Sequence, residues 1–279
     1  MILGPLASEQ GRFRIVRELG RGGWGIVFQA HDRVLGRQVA LKVPRPEVLL
    51  TADNRKRFLK EAKIAAKLNH PSLIPIYDAG ESGHFCFLVS AYCEGPTLAV
   101  WLRERTEPVP CGDAARLVGL LAEAVDSMHK QGILHRDLKP SNVLLASEER
   151  EPLDKTEHSL SGGSCTSLTS LHPKITDFGL AAFQEGEVLP TGLGGLTRTG
   201  ALIGTAAYMA PEQADGRNKE IGPRTDVYAL GVILYECSRA SRLLPAAAMC
   251  KHASKSSAKN RAGHGCIGAI FRVIWRRSV

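Results

Sequence analysis

The chain has 279 residues, 36 Lys and Arg against 28 Asp and Glu, a formal net charge of +8 and 44% hydrophobic residues. That length and apolar content suffice for one two-lobed domain or two small ones, and exclude wholesale disorder and a collagen-like chain. The charge is unevenly placed: Arg239 to Val279 hold nine Lys/Arg and no Asp or Glu, and the first 238 residues carry about −1, so the basicity is poor evidence for a nucleic-acid enzyme.

Phe13 to Leu19 alternates like a strand, and after a glycine cluster Ile26 to Ala30, the His31-Asp32 turn and Arg37 to Val43 continue an antiparallel meander. Pro44 and Pro46 end it. Phe58, Glu61, Ala65 and Leu68 then fall on one helical stripe, closed by Asn69-His70-Pro71. Strand-like pieces follow at Leu73–Ile76 and Phe85–Val89. Gly95-Pro96 punctuates, and beyond Pro110 the chain turns mainly helical, with Leu117, Leu121, Ala124 and Met128 at helical spacing, Asp113 as cap and Gly132 as stop. Between Leu145 and Lys174 lies a polar stretch in which six of the ten residues 161–170 are Ser or Thr, read as a flexible loop. Asp226 to Cys237 reads as a buried helix with Val227, Leu230, Ile233 and Leu234 apolar. The class is α+β. Seven cysteines without a C-x-x-C pair argue against a disulfide framework and a zinc ribbon, and fit a reducing, cytoplasmic compartment. The sequence shows no signal peptide and no transmembrane segment, which would need about 18 uninterrupted apolar residues.

Gly20-Arg21-Gly22-Gly23-Trp24-Gly25 contains G-x-G-x-x-G. A helix would follow it in a dinucleotide fold, whereas here a β-branched strand follows, and the absence of Gly-Lys-Ser/Thr excludes a Walker A loop. Strand, glycine loop, strand lets backbone N–H groups close over a phosphate without a Cβ in the way. Val39-Ala40-Leu41-Lys42 sets a lysine in an apolar strand. Glu61 stands nineteen residues on, in the apolar stripe of the helix, where a carboxylate needs a cation. Lys42 is the economical partner, and the pair would hold an ammonium against an anionic ligand.

His135-Arg136-Asp137-Leu138-Lys139-Pro140-Ser141-Asn142 and Asp177-Phe178-Gly179 follow in order, then Ala210-Pro211-Glu212 and Asp226-Val227-Tyr228-Ala229-Leu230-Gly231. With the glycine loop, the lysine strand and the helix glutamate, this ordered set resembles the eukaryotic-type protein kinase family, closely its serine/threonine branch and in style its bacterial members. The resemblance implies a two-lobed fold, with a small antiparallel β lobe carrying one helix at 13–94 and a mainly helical lobe at 95–238. It further implies transfer of the γ-phosphate of ATP to Ser/Thr hydroxyls of protein substrates, with Mg²⁺ (or Mn²⁺), in signal transduction with autophosphorylation.

By the same resemblance Asp137 would accept or orient the substrate hydroxyl proton, Lys139 would contact the transferring phosphate, and Asn142 and Asp177 would hold the metal. Thr205 would bridge the catalytic loop and the substrate site, and Lys42 and Glu61 would complete the catalytic set. The phosphates would lie under Gly20, Gly22 and Gly25. The adenine would sit among Leu19, Val27, Ala40 and Leu144, with hinge hydrogen bonds from Ala91 to Cys93 and Ser90 behind. Arg136 implies a phosphorylatable activation loop, with Thr191, Thr197 and Thr199 as candidates.

Two departures stand out. Asn142 and Asp177 are 35 positions apart, so about 148–172 reads as an insertion in a hairpin, where extra loop length costs little closure entropy. After Cys237 the resemblance expects further helices, including an arginine to pair with Glu212. The segment 239–279 instead reads as a basic tail outside the family, from a shifted frame or truncated product, which would leave the apolar face around Val227 and Leu230 exposed. The rival reading is therefore a catalytically inactive kinase-like ATP-binding or interaction module. No nucleic-acid partner is expected, and the oligomeric state is open.

Overall fold

The computed structural model describes residues 11–22, 25–49, 51–82, 85–147, 171–177 and 206–239. The expectations for Gly23, Trp24, residues 148–170 of the insertion, Phe178, Gly179, Thr191, Thr197, Thr199, Thr205 and the tail beyond Arg239 lie outside the described residues.

Five strands form one antiparallel sheet in the order β1-β2-β3-β5-β4: β1 Phe13–Arg21, β2 Gly25–Asp32, β3 Arg37–Pro44, β4 Ile76–Ser82 and β5 Phe85–Ala91. The alternation of β3 divides its side chains between two faces. Val39, Leu41 and Val43 are buried with Phe13, Ala30, Phe87 and Val89, while Ala40 and Lys42 turn to the other side. Helix α1, Ala52–Ala65, fills the connection from β3 to β4 and starts where the Thr51 hydroxyl accepts the Asn54 N–H at 3.1 Å. Its Phe58 and Ala62 pack with Leu49, Cys86 and Leu88 into a second small core. The strand after α1 starts at Ile76, not at Leu73 as the sequence suggested. Pro75 has no N–H to give a ladder, and Leu73 makes only an isolated bridge to Ile175.

The helical part contains α2 Leu98–Glu104, α3 Cys111–His129, α4 Pro211–Ala214 and α5 Pro223–Cys237, with a hairpin of β6 Val143–Ser147 and β7 Leu171–Ile175. Helix α3 starts two residues before the expected cap: Pro110 stands at the N-cap and Asp113 lies in the first turn. Gly132 ends the segment as expected, at φ 72° with its N–H on the His129 carbonyl at 2.9 Å. Leu117, Leu121 and Met128 of α3 form the main core with Leu145, Ile175, Leu230 and Ile233.

That core corrects the expectation of a bare apolar face at Leu230, while Val227 is half-buried. Leu230 is 1% exposed and Ile233 fully buried, because α5 lies on α3 and the Cys237 carbonyl accepts the Val109 N–H at 2.9 Å. The β6–β7 hairpin ties the helical part to the sheet: Ile74 N–H donates to the Ile175 carbonyl at 2.9 Å, and Leu145 N–H donates to the Pro96 carbonyl at 2.9 Å. Among the described residues no helix is long and apolar enough to cross a membrane, and none of the four described cysteines forms a disulfide.

Candidate active site

Between the sheet and the helical part, Lys42 and Asp177 meet. The Lys42 Nζ lies 2.9 Å from the Asp177 Oδ1. Burial pushes the Asp177 carboxyl up, but the Lys42 ammonium, together with His135 and Lys139, outweighs it and holds the group below the usual carboxylate range. The sequence reading had given Lys42 to Glu61, and the structure corrects this. Glu61 takes its cation from Arg57, one turn earlier on α1 at 3.1 Å, and Asp177 supplies the carboxylate for Lys42.

The residues after α3 build the second half of the site. Asp137 receives the Lys139 ammonium on both carboxylate oxygens, at 3.0 and 2.7 Å. Asn142 closes a 3-10 turn at Pro140–Asn142, and its Nδ2 donates to the Asp137 carbonyl at 2.8 Å and to the Asp137 Oδ2 at 3.2 Å. The Asn142 carbonyl in turn accepts the Thr176 N–H at 2.9 Å, which brings the segment ending at Asp177 beside the catalytic turn. The two expected metal ligands are thus joined through one backbone bond. Among the described residues no three His, Cys, Asp or Glu gather as a metal site. Two hard oxygen donors beside an open cleft fit Mg²⁺, which keeps water and substrate phosphate oxygens in its shell.

Some of the expected nucleotide residues share one face of the sheet with Lys42, whereas Ala91 pairs with Val39 on the core side. Val27 lies opposite Lys42 in the β2–β3 register and Ala40 lies opposite Ser90 in β3–β5, so these four share the face away from the Val39–Leu41 core. Leu144 reaches the same region through its bridge to Thr97, after the hinge segment. Val27, Ala40, Ala91, Cys93 and Leu144 are all half-buried, and Leu19 is exposed at the rim. The Ala91 N–H already donates to the Pro75 carbonyl at 2.9 Å, so it is no donor for a base. The glycines differ in purpose. A Cβ on Gly20 or Gly22 would meet nothing within 4 Å, whereas one on Gly25 would lie 2.2 Å from the Val43 carbonyl oxygen. Gly25 serves the close approach of β2 to β3, and only Gly20 and Gly22 border open space where phosphate would lie.

Several supporting residues were not singled out as site residues by the sequence. Asp226, 1% exposed, accepts the backbone N–H of His135 at 2.9 Å and of Arg136 at 2.8 Å, and also meets His129 Nε2 at 2.8 Å. Burial raises its carboxyl, but the His129 bond and the two backbone N–H groups prevail and hold it below the usual range. Gln213 donates to the Arg136 carbonyl at 2.8 Å. Glu212, for which no arginine was found in the sequence, accepts the Thr225 hydroxyl at 2.7 Å. The Tyr208 hydroxyl donates to Glu236, the last acidic residue of the chain, at 2.5 Å, and burial beside that carboxylate raises the phenol.

Comparison with known proteins agrees with this geometry. The protein kinase domain family matches residues 13–264, a span that runs past the boundary the sequence reading placed at 239. The chain is 34% identical over 230 residues to a probable serine/threonine-protein kinase of Streptomyces coelicolor, covering 81% of this chain and 30% of that protein. It is 37% identical over 238 residues to the DNA damage-responsive serine/threonine-protein kinase RqkA of Deinococcus radiodurans, covering 84% of this chain and 31% of that protein. The chain therefore spans about a third of the length of these curated relatives. The crystal structure of the Mycobacterium tuberculosis PknI kinase domain superposes with a TM-score of 0.58 at 25% identity, covering 84% of this chain and 79% of that one. The ordered motifs, the two-part fold and these matches place the chain in the protein kinase domain family, among the serine/threonine kinases of bacterial type.

Proposed function

We propose that this chain transfers the γ-phosphate of ATP to serine or threonine hydroxyls of protein substrates. The observation that carries the reading is the pairing of Asp137, held by Lys139 and Asn142, with a separate Lys42–Asp177 pair across the same cleft. One aspartate faces the position of a substrate hydroxyl, and the other stays ionised to hold a cation.

The substrate oxygen attacks the γ-phosphorus, the bond to the β–γ bridging oxygen breaks, ADP leaves, and the hydroxyl proton passes to Asp137. Lys139, on the Asp137 carboxylate, is placed to neutralise charge on the moving phosphoryl group. Lys42 keeps Asp177 ionised and offers its remaining N–H donors to the nucleotide phosphates. Val27, Ala40 and Leu144 provide the apolar bed for the adenine, between a lobe at 13–94 and one beginning at 95. Asn142 and Asp177 are the residues that would hold Mg²⁺, which would supply charge neutralisation for the nucleotide when bound.

The test uses the purified chain with Mg-ATP labelled in the γ-phosphate and casein as acceptor. Transfer to Ser/Thr that falls about a hundredfold or more in Asp137→Asn supports the reading. ATP binding without mutation-sensitive transfer overturns it in favour of a binding module.

A further inference from the structure

Gln213 belongs to no motif read from the sequence, yet its carboxamide joins two parts of the site. Its Nε2 donates to the Arg136 carbonyl at 2.8 Å, and its Oε1 accepts the Ala210 N–H at 3.2 Å. The first partner can only accept and the second can only donate, so the orientation of the amide is fixed by its neighbours.

The Arg136 carbonyl belongs to the peptide plane that ends at the Cα of Asp137. Arg136 has φ 66°, a left-handed conformation that is unfavourable for a residue with a Cβ and persists only where surroundings impose it. The plane is gripped at both of its polar atoms. Gln213 holds the oxygen, and the N–H, that of Asp137, donates to His135 Nδ1 at 3.3 Å. With Nδ1 accepting, the His135 Nε2–H donates to the Thr176 carbonyl at 3.0 Å, next to Asp177. Before this plane, the Arg136 N–H is held by Asp226. The Arg136 N–H, the Arg136 carbonyl and the Asp137 N–H are thus each tied to a side chain, and Gln213 is the tie from α4. Glu212, beside it, anchors α4 to α5 through Thr225.

We propose that Gln213 is a positioning residue, which fixes the Arg136–Asp137 peptide plane and through it the Asp137 carboxylate. The proposal rests on the kinase reading for the role of Asp137. A bland alternative is that Gln213 merely caps the start of α4 through Ala210. Gln213→Glu separates the two, because a carboxylate keeps an acceptor for Ala210 but has no donor for the Arg136 carbonyl and repels it.

The experiment measures amide hydrogen exchange by NMR on the full ¹⁵N-labelled chain, together with steady-state phosphate transfer to casein. In Gln213→Glu the Asp137 amide exchanges about tenfold faster while the Ala210 amide keeps its protection, and kcat falls about tenfold with the KM for ATP within about twofold. In Gln213→Ala both amides lose protection. Unchanged protection of the Asp137 amide in Gln213→Glu overturns the proposal, as does an unchanged kcat in an active enzyme. If the wild-type chain transfers no phosphate, the kinase reading fails by itself, and the Asp137 amide still decides whether Gln213 holds the plane.

Discussion

The Asp226 carboxylate and the Arg136 backbone N–H meet at 2.8 Å although ninety residues separate them in sequence. One buried side chain on α5 thereby fixes the loop that carries Asp137, and it does so with both oxygens: Oδ1 takes Arg136, Oδ2 takes His135 and His129. Asparagine offers one acceptor oxygen and turns an N–H₂ group toward donors. Asp226→Asn therefore lowers unfolding free energy by about 3 kcal/mol, read from the urea midpoint at unchanged m-value.

Acid should act through the same carboxylate. Asp226 and Asp177 both sit below the usual carboxylate range in the folded chain. A depressed folded value means that the unfolded chain binds protons first as pH falls, so the stabilisation is complete above the ordinary aspartate range and is lost as pH drops through the folded values. The urea midpoint stays flat from about pH 7 to about pH 5 and falls steeply below about pH 4. Asp226→Asn removes part of that acid slope, and a slope identical to wild type would count against the assignment.

How much of this was legible follows from the range over which each signal acts. The strand that carries Lys42 was legible from sequence alone, because a strand signal is local, while the face that Lys42 takes came only with the sheet register. The partner of Lys42 was not local: Asp177 follows β7, and the sequence reading gave Glu61 to Lys42 without considering Arg57, four residues before Glu61 on α1. Helix α2 went unread since its seven residues follow Gly95-Pro96 and offer too few turns for a periodic signal. The burial of Leu230 was misjudged because α3, an element already present, packs against it. Gln213 carried no signal, for an amide announces a hydrogen bond without naming its partner.

The glycine loop separates folding from binding at neighbouring positions. Gly25→Ala forces a methyl to 2.2 Å from the Val43 carbonyl oxygen, and β2 must shift off β3. It costs about 2–3 kcal/mol, seen as a lowered melting temperature without nucleotide. Gly20→Ala and Gly22→Ala meet open space and leave the melting temperature of the free chain unchanged, while calorimetric titration with Mg-ATP shows weaker binding. Equal destabilisation at all three positions would contradict this division.

Removal of the Lys42 ammonium exposes the force balance at Asp177. In the wild type the Lys42 charge at 2.9 Å, together with His135 and Lys139, overcomes the burial that raises this carboxyl, so Asp177 is ionised throughout the neutral range and Mg-ATP affinity varies little between about pH 6 and pH 8. In Lys42→Met only His135 and Lys139 remain to oppose burial, and the Asp177 carboxyl rises. Protonation then competes with the metal, so Mg-ATP binding by the variant weakens from about pH 8 to pH 6 by about tenfold for each unit that the carboxyl lies above the lower pH. A variant that merely lost a phosphate contact would bind more weakly by the same factor at both pH values. Isothermal titration of wild type and Lys42→Met at the two pH values therefore distinguishes a lysine that sets the charge of Asp177 from one that only touches the nucleotide, and a parallel loss at both would refute the former.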